Sequence, residues 1–326
     1  MTRRGPALFD SMCVIWGIPY LLIRVAVRDL SPATLVLARA GIAALLLVPI
    51  AVARDEFRPL VRHWVPILAF AGVEIALPWV LLGAAEQEIS SSLAALLLAA
   101  VPLIGAVIAR TTGDRARLGM QSLLGLLVGL AGVGAIVGLN LEGAGPLPIG
   151  QVGLVAVCYA VGPVILLRWL SDLPALGVIA ASLAVTTVVY LPIAAFSLPE
   201  EMPSGEVIGS VLGLSIVCTA IAFLLFFALI AEIGSVRATV ITYINPAVAA
   251  VLGVAILGEH FSAGMAVGFA LVLLGSILAT RPGGTGPPES SGYPPTADVP
   301  SPGCSADSES RTWSSSRKPT SSSPRA

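Results

Sequence analysis

The sequence predicts an all-α integral membrane protein with ten transmembrane helices, built as two five-helix repeats of inverted topology. The first observation is composition: the chain is 56% hydrophobic and only 11% charged, with a mean hydropathy of +0.93, whereas a soluble domain is about 25% charged. The second is the length of its apolar stretches, about 20 residues each, which suits helices that cross ~30 Å of hydrocarbon. The third is an internal repeat that spans most of the chain.

Ten apolar stretches follow one another with short polar breaks, as expected for antiparallel neighbouring helices. They are predicted near 8–27, 32–53, 64–83, 90–109, 118–138, 150–168, 174–197, 207–230, 236–257 and 262–280. Residues 1–7 then form a cytoplasmic N-terminal segment, 8–138 the first repeat and 150–280 the second. Residues 281–326 are rich in Pro, Ser, Gly and Thr, so we expect a disordered cytoplasmic tail.

The repeat is clearest between residues 85–138 and 231–280. Both stretches begin with Ala-Glu, continue with an apolar span that contains a proline, and end with a charged break, Gly-Met and a glycine-rich span. Pro102 matches Pro246 at a shift of about 143 residues, which indicates a duplicated membrane unit. Because five spans make each half, the second half would enter the membrane from the opposite side, and this predicts the inversion.

Arginines are distributed unequally between alternate loops. One side carries nearly all of them: Arg3, Arg4, Arg54, Arg58, Arg62, Arg110, Arg115, Arg117, Arg168, Arg237 and Arg281. On the other side the loop arginine is Arg28, among acidic residues such as Glu142 and Glu206. The positive-inside rule therefore predicts that both termini are cytoplasmic.

Motifs for nucleotide, metal or covalent chemistry are absent from the sequence. It has no Walker A motif, no GxGxxG followed by an acidic residue and no HExxH, and its two histidines, His63 and His260, lie by loops on opposite sides. The four cysteines have neither CxxC nor metal-ligand spacing. We therefore expect no cofactor, no metal, no catalytic residue and no nucleic-acid partner, and we do not expect an enzyme.

Polar groups inside apolar spans are the candidate functional residues, because each is costly in hydrocarbon. Glu74 lies about ten residues into the third span, which at ~1.5 Å per residue is near the bilayer midplane. There it can exchange a proton or hold a cationic group, or it can be a protonated carboxyl bonded to a neighbouring helix. Arg39 lies about seven residues into the second span. Its planar fork suits a solute carboxylate, with pairing to Glu74 or capping of a helix end as structural alternatives.

Aromatic side chains are candidates for the lining of a cavity. Trp16 and Tyr20 lie one turn apart in the first span, and Tyr159 matches Trp16 in the second repeat. Further candidates for the same lining are Trp79, Tyr243 and Asn245. Aromatic faces offer stacking or cation–π contact to a small organic solute, and the alternative is packing or anchoring at the membrane interface.

Prolines and glycines interrupt several spans, and Pro102 and Pro246, like Gly132 and Gly275, fall at matching places in the two halves. The prolines expected at hinges or kinks are Pro78, Pro102, Pro163 and Pro246. A proline removes a backbone hydrogen bond and permits a bend, so breaks at corresponding positions indicate a binding site, with static kinks as the alternative. The fifth and tenth spans contain runs of glycine, namely Gly125, Gly129, Gly132, Gly268 and Gly275. They indicate close helix packing, within the chain or at a homodimer seam.

Two stretches carry a family resemblance. The run WGIPYLLIRVAV and the following LSPATLVLARAG, which include Trp16 and Arg39, resemble the first-repeat pattern of the EamA-type permeases of the drug/metabolite transporter superfamily. The run VITYINPAVAAVLGVAILGE, with Pro246 and Glu259, resembles the second-repeat pattern. One departure is Arg24, where the family often has lysine. The resemblance leaves out the C-terminal tail.

The resemblance implies a secondary transporter in a bacterial inner membrane. It would move small metabolites, often amino acids or related compounds and often outward, and the proton gradient would supply any driving force. From it we expect a proton-coupled exporter that works by alternating access. Its partners would be a small-molecule solute, protons and the lipid bilayer, and it would be a monomer or a homodimer. The alternatives are an uncoupled facilitator, a lipid-handling protein or intramembrane enzyme, and a non-transporting sensor with the tail as its output.

Overall fold

A computed structural model of the 326-residue chain describes residues 4–111, 120–138, 145–234, 238 and 240–280. Within these ranges every regular element is helical. The predicted tail and the loop arginines Arg115, Arg117 and Arg237 lie outside the described residues.

The described helices are numbered α1 to α10 in chain order. They are α1 Arg4–Ala26, α2 Pro32–Ala53, α3 Arg58–Glu88, α4 with its segments Ser91–Leu98 and Val101–Thr111, α5 Met120–Gly138, α6 Pro146–Leu170, α7 Ala175–Ala195, α8 Gly205–Ile233, α9 Ile241–Leu257 and α10 Ala263–Thr280. Among the described residues, seven helices are long and apolar enough to cross a membrane, and α5, α9 and α10 have shorter apolar stretches. The structure therefore confirms the helical membrane class, and ten crossings stay a prediction.

Several helices are irregular along their length. A turn at Trp16–Gly17 divides α1, and another at Ala99–Ala100 divides α4. π-Helical turns, in which a backbone N–H bonds five residues back, occupy Ala71–Ala76 in α3, Leu166–Leu170 in α6 and Gly213–Ile221 in α8. Because such turns are rare and often lie at functional sites, they direct attention to the middle of α3 and α8.

The loops gather at two ends of the helix bundle. At one end Arg28 lies 3.8 Å from a carboxylate oxygen of Glu206, and we name it the Arg28 end. At the other, Glu56 Oε2 accepts a hydrogen bond from the backbone N–H of Gly177 at 2.8 Å, and we name it the Glu56 end.

Helices α2 and α7, which hold equivalent positions in the two halves, pack antiparallel. Ser31 Oγ, before α2, lies 2.8 Å from Ser197 Oγ, after α7. The bond between Glu56 and Gly177 joins the end of α2 to the start of α7. Buried aliphatic side chains of both helices, such as Leu47 and Leu183, fill the space between these contacts.

Glycines allow α5 and α10 to pack with their backbones in contact. A Cβ placed on Gly132 would lie 2.7 Å from the carbonyl oxygen of Gly268, and one on Gly125 would lie 2.8 Å from that of Gly275. Because residue numbers rise along α5 as they fall along α10, these equivalent helices are also antiparallel. The glycines that the sequence singles out therefore pack within one chain.

Other helix contacts form matched pairs when the two halves are exchanged. Helix α3 packs on α6 as α8 packs on α1, and α4 packs on α6 as α9 packs on α1. In the same way α3 packs on α7 as α8 packs on α2. The second half thus repeats the packing scheme of the first.

We predict that Gly132→Ala and Gly134→Ala change stability in opposite directions. A methyl group at Gly132 would meet the backbone of α10 at 2.7 Å, so the helices have to separate, at a cost of about 1–3 kcal/mol. A Cβ at Gly134, on the same helix, meets no described atom within 4 Å, and alanine there favours the helix by up to about 1 kcal/mol. Thermal unfolding of the purified variants in detergent measures the difference, and equal midpoints would contradict the backbone contact.

Candidate functional site

Glu74 lies in the π-helical turn of α3, directly before Pro78. Proline has no N–H to bond the carbonyl four residues back, and here the N–H of Leu77 bonds Gly72 instead, five residues back. The carboxyl group of Glu74 packs against the backbone of Gly162 in α6. Its Oε2 atom is buried and has no hydrogen-bond partner among the described residues. The turn therefore places an unsatisfied carboxyl oxygen between α3 and α6.

Arg39 projects from α2 into the same region and is 8% exposed. Its guanidinium carbon lies 3.7 Å from the ring centroid of Trp79 in α3, a cation–π geometry. Its Nε donates to Thr219 Oγ1 at 3.0 Å, and Thr219 belongs to the π-helical turn of α8. No carboxylate of the described part of the chain forms an ion pair with Arg39. The terminal nitrogens of this buried cation are thus left without an anionic partner in the described protein.

Two tyrosines complete the group. Tyr20 of α1 interacts electrostatically with both Arg39 and Tyr159. Tyr159 of α6 interacts in turn with Glu74. We name Tyr20, Arg39, Glu74, Trp79, Tyr159 and Thr219 the central cluster. It combines a cation, an unsatisfied carboxyl group and aromatic faces, which suits a small organic solute with charged ends.

Glu86 is a member of this neighbourhood that the sequence reasoning missed. The predicted third span ends near residue 83 and leaves Glu86 in a loop. In the structure α3 continues through Glu88, and Glu86 is completely buried, at 0% exposure. Helix α3 ends just before Ser90, whose side chain begins the next helix by accepting the N–H of Leu93 at 3.2 Å. The run of serines before an apolar stretch is a helix-start signal that could have placed Glu86 inside α3.

A polar cavity of about 400 Å³ opens at the Arg28 end, and we name it the vestibule. Its lining consists of Arg24, Val27, Arg28, Gln87, Ser90, Leu257 and Glu259. A guanidinium nitrogen of Arg24 donates to the backbone oxygen of Glu86. A second cavity, of about 390 Å³, is lined by apolar residues of α4, α5 and α6. Neither of these two cavities is lined by Glu74.

Glu259 joins the two halves beside the vestibule. Gly258, at φ 66°, ends α9 in the left-handed conformation and turns the chain toward α4. The Glu259 carboxylate then accepts the backbone N–H groups of Ser91 and Ser92 at 2.8 and 2.9 Å, and their hydroxyls at 2.9 and 2.5 Å. These donors are at the first turn of α4, where helix N–H groups lack partners and favour a negative charge.

Two of the predicted lining residues do not join the central cluster. Trp16 packs against Phe226, with ring centroids 4.6 Å apart. The Asn245 amide, oriented so that its donors are satisfied, donates to the backbone oxygens of Ile241 and Cys13 at 3.0 and 3.1 Å. Both take part in the contacts between α1, α8 and α9, and their role in lining a cavity stays a prediction.

The remaining predicted residue, Tyr243, lies in the first helical turn of α9, at the end of that helix opposite Gly258. Tyr243 therefore lies near one end of α9 and away from the middle of that helix.

The four predicted prolines have different surroundings. Pro78 follows the π-helical turn of α3, and Pro102 begins the second segment of α4 after the Ala99–Ala100 turn. Pro163 lies shortly before the π-helical turn of α6. Pro246 lies inside α9, which continues as a helix on both sides of it.

These features define a multi-pass helical membrane protein of two similarly packed halves with a polar cluster between them. The family model described as the EamA-like transporter family matches residues 4–138 and, a second time, residues 149–281. The chain belongs to the EamA-like transporter family. The members of this family are transporters and not enzymes, which confirms both the resemblance and the prediction that the chain is no enzyme.

Proteins that resemble the chain in sequence and in fold support this membership. The chain is 28% identical over 285 residues to the Escherichia coli K12 protein "Uncharacterized inner membrane transporter YedA", across 84% of this chain and 89% of the relative. The YedA proteins of E. coli O6:H1 and O157:H7 match equally. A solved crystal structure superposes with a TM-score of 0.61 at 21% identity, over 85% of this chain and 96% of that one, which supports the fold. The chain is thus a multi-pass membrane transporter for a small-molecule solute.

We predict that Glu259→Gln loosens the first turn of α4. The amide removes the charge that four donors share, and the loss of such a cap costs about 0.5–2 kcal/mol. Thermal unfolding and hydrogen exchange at Ser91 and Ser92 measure the effect. Glu88→Gln is the matched control, since Glu88 is exposed at the same end of the bundle. If both variants behave as the wild type, the cap does not hold the halves together.

Proposed function

We propose that this transporter exports small amino-acid-like solutes in exchange for protons, by alternating access between two inverted five-helix repeats. The observation that carries the proposal is the central cluster: a buried arginine without an anionic protein partner beside an unsatisfied carboxyl group. Arg39 would hold the carboxylate of the solute, and Glu74 would hold either the ammonium group of the solute or a proton. The vestibule at the Arg28 end provides a route to one compartment.

The antiparallel packing of equivalent helices supports the inverted repeat. Two repeats with the same topology would place helix n and helix n+5 parallel, whereas α2 and α7, and α5 and α10, run in opposite directions. The matched contacts between the halves fit a pseudo-two-fold axis in the membrane plane. Under this proposal, all ten helices cross the membrane, including α5, α9 and α10, whose apolar stretches are shorter.

Matching irregularities in α3 and α8 support a binding site near the midplane. The π-helical turn Ala71–Ala76, shifted by about 143 residues, falls within the turn Gly213–Ile221. The first turn carries Glu74, and the second carries Thr219, which holds Arg39. Interrupted helices at corresponding positions of two repeats are a recurrent feature of substrate sites in secondary transporters.

The chemistry of the cluster favours an amphoteric solute. The planar fork of Arg39 offers paired N–H donors to a carboxylate. Trp79, Tyr20 and Tyr159 offer faces for a cationic or apolar group. Competition between a proton and the solute ammonium group for Glu74 would couple solute export to proton entry, because only one of them can neutralise the same carboxylate.

The arginine pattern supports an orientation with both termini in the cytoplasm, so that the Arg28 end faces the periplasm. The glycine contact between α5 and α10 is used within one chain, which supports the monomer over the homodimer as the transporting unit.

We predict that Glu74→Gln abolishes the response of transport to a pH gradient and also weakens solute exchange, because Glu74 holds the solute ammonium group as well as the proton. Glutamine keeps the size of the side chain but cannot release a proton. Proteoliposomes loaded with a mixture of L-amino acids, and given the same mixture labelled outside, measure exchange with and without a pH gradient. A variant that responds to the gradient like the wild type would remove Glu74 from the mechanism, and a wild type that ignores the gradient would be an uncoupled facilitator.

We predict that Arg39→Gln weakens solute binding about 30-fold, since a hydrogen bond to a charged group contributes about 2 kcal/mol. The concentration of unlabelled amino-acid mixture that half-inhibits exchange measures this change. Arg58→Gln serves as the control, because the Arg58 side chain is exposed and pairs with Asp55 at 3.1 Å near the start of α3. Equal half-inhibition for both variants would contradict a carboxylate site at Arg39.

A further inference from the structure

Glu86 has the most unusual surroundings of the acidic residues in the described part of the chain. Glu86 is 0% exposed, and both of its carboxyl oxygens are buried without a hydrogen-bond partner among the described residues. An ionised carboxylate in such a place costs several kcal/mol, whereas a neutral acid costs much less. A buried group that makes no hydrogen bond requires an explanation other than packing.

Glu86 lies between the vestibule and the central cluster. On the vestibule side, Arg24 lines the cavity and donates to the backbone oxygen of Glu86. On the inner side, its carboxyl group interacts electrostatically with Tyr20 and Arg39. Tyr20 interacts with Tyr159, which interacts with Glu74, so that titratable groups follow one another from the vestibule to the middle of the bundle.

Titratable groups face Glu86 from α1, from α2 and from the segment after α9. Helix α1 contributes Tyr20 and Arg24, and α2 contributes Arg39. Glu259, after α9, also interacts with Glu86, but its charge is already bound by four donors of α4. The titratable residues of α6 are Cys158, Tyr159 and Arg168, and the first segment of α4 has no titratable side chain. Two arginines are therefore available to stabilise a carboxylate once water reaches it.

We propose that Glu86 is the carboxyl group through which protons pass between the vestibule and the central cluster, with Arg24 as the side chain that closes this passage. When Arg24 leaves the backbone of Glu86, water enters and the O–H bond of the Glu86 carboxyl breaks. The proton passes to a vestibule water, and the electron pair stays on the carboxylate, which Arg24 and Arg39 stabilise. The reverse steps load the group. This inference deepens the proposed proton-coupled transport and rests on it.

Infrared difference spectroscopy of the protein in liposomes tests the inference without a solute. Raising the pH should remove a carbonyl band of a protonated carboxyl group in the wild type. This band should be absent from Glu86→Gln and present in Glu74→Gln and in the exposed control Glu88→Gln. Arg24→Gln should accelerate hydrogen–deuterium exchange of the same band. If Glu86→Gln gives the wild-type spectrum, or if Arg24→Gln leaves the exchange rate unchanged, the inference is wrong.

Flux measurements separate a failure of this inference from a failure of the proposed function. Glu86→Gln should retain exchange of the labelled amino-acid mixture and lose its acceleration by a pH gradient by at least tenfold. If the wild type couples exchange to the gradient and Glu86→Gln couples equally well, Glu86 has no part in proton transfer. If the wild type exchanges none of the mixture, the proposed substrate class fails, while the infrared result on Glu86 still stands by itself.

Discussion

A permanent positive charge inside the helix bundle is the constraint on which the arrangement of the other polar groups depends. Arginine keeps its charge at any physiological pH, so the helices around Arg39 have to supply what water would supply. Trp79 offers its ring and Thr219 its hydroxyl oxygen, and neither of them neutralises the charge. A buried charge is tolerated only when it is compensated. The cluster therefore fits a transporter in which the carboxylate of a bound solute neutralises Arg39 until the solute is released.

Helix irregularity provides the room for this arrangement. Pro78 removes the N–H that would continue a regular α-helix, and the π-helical turn before it widens α3 at Glu74. At the end of this turn the Tyr190 hydroxyl donates a hydrogen bond to the backbone oxygen of Ala76 at 2.9 Å. In α8 the hydroxyl of Thr219 bonds a carbonyl five residues back, so both turns are held by side chains and not by packing alone.

The sequence predicts the helical membrane class and the polar residues of the site, because both follow from the cost of polar groups in hydrocarbon. Arg39 and Glu74 are detectable by their depth in apolar spans. Which side chains share a face depends on local geometry that periodicity does not contain: the turn at Trp16–Gly17 separates Trp16 from Tyr20, one turn away. Glu86 is a different case. A charged residue near the end of an apolar span is interpreted as part of a loop, whereas in the structure Glu86 is buried by neighbouring helices.

The scaffold of the two halves is similar, but their chemistry is not. At a shift of about 143 residues, the positions that match Arg39 and Glu74 hold Ser182 and Val217. A symmetric scaffold has two equivalent ways to open, which is what alternating access requires. Charges carried by one half alone make the two states unequal in electrostatic energy. The protonation of that half, together with the solute bound to it, can therefore decide which end opens.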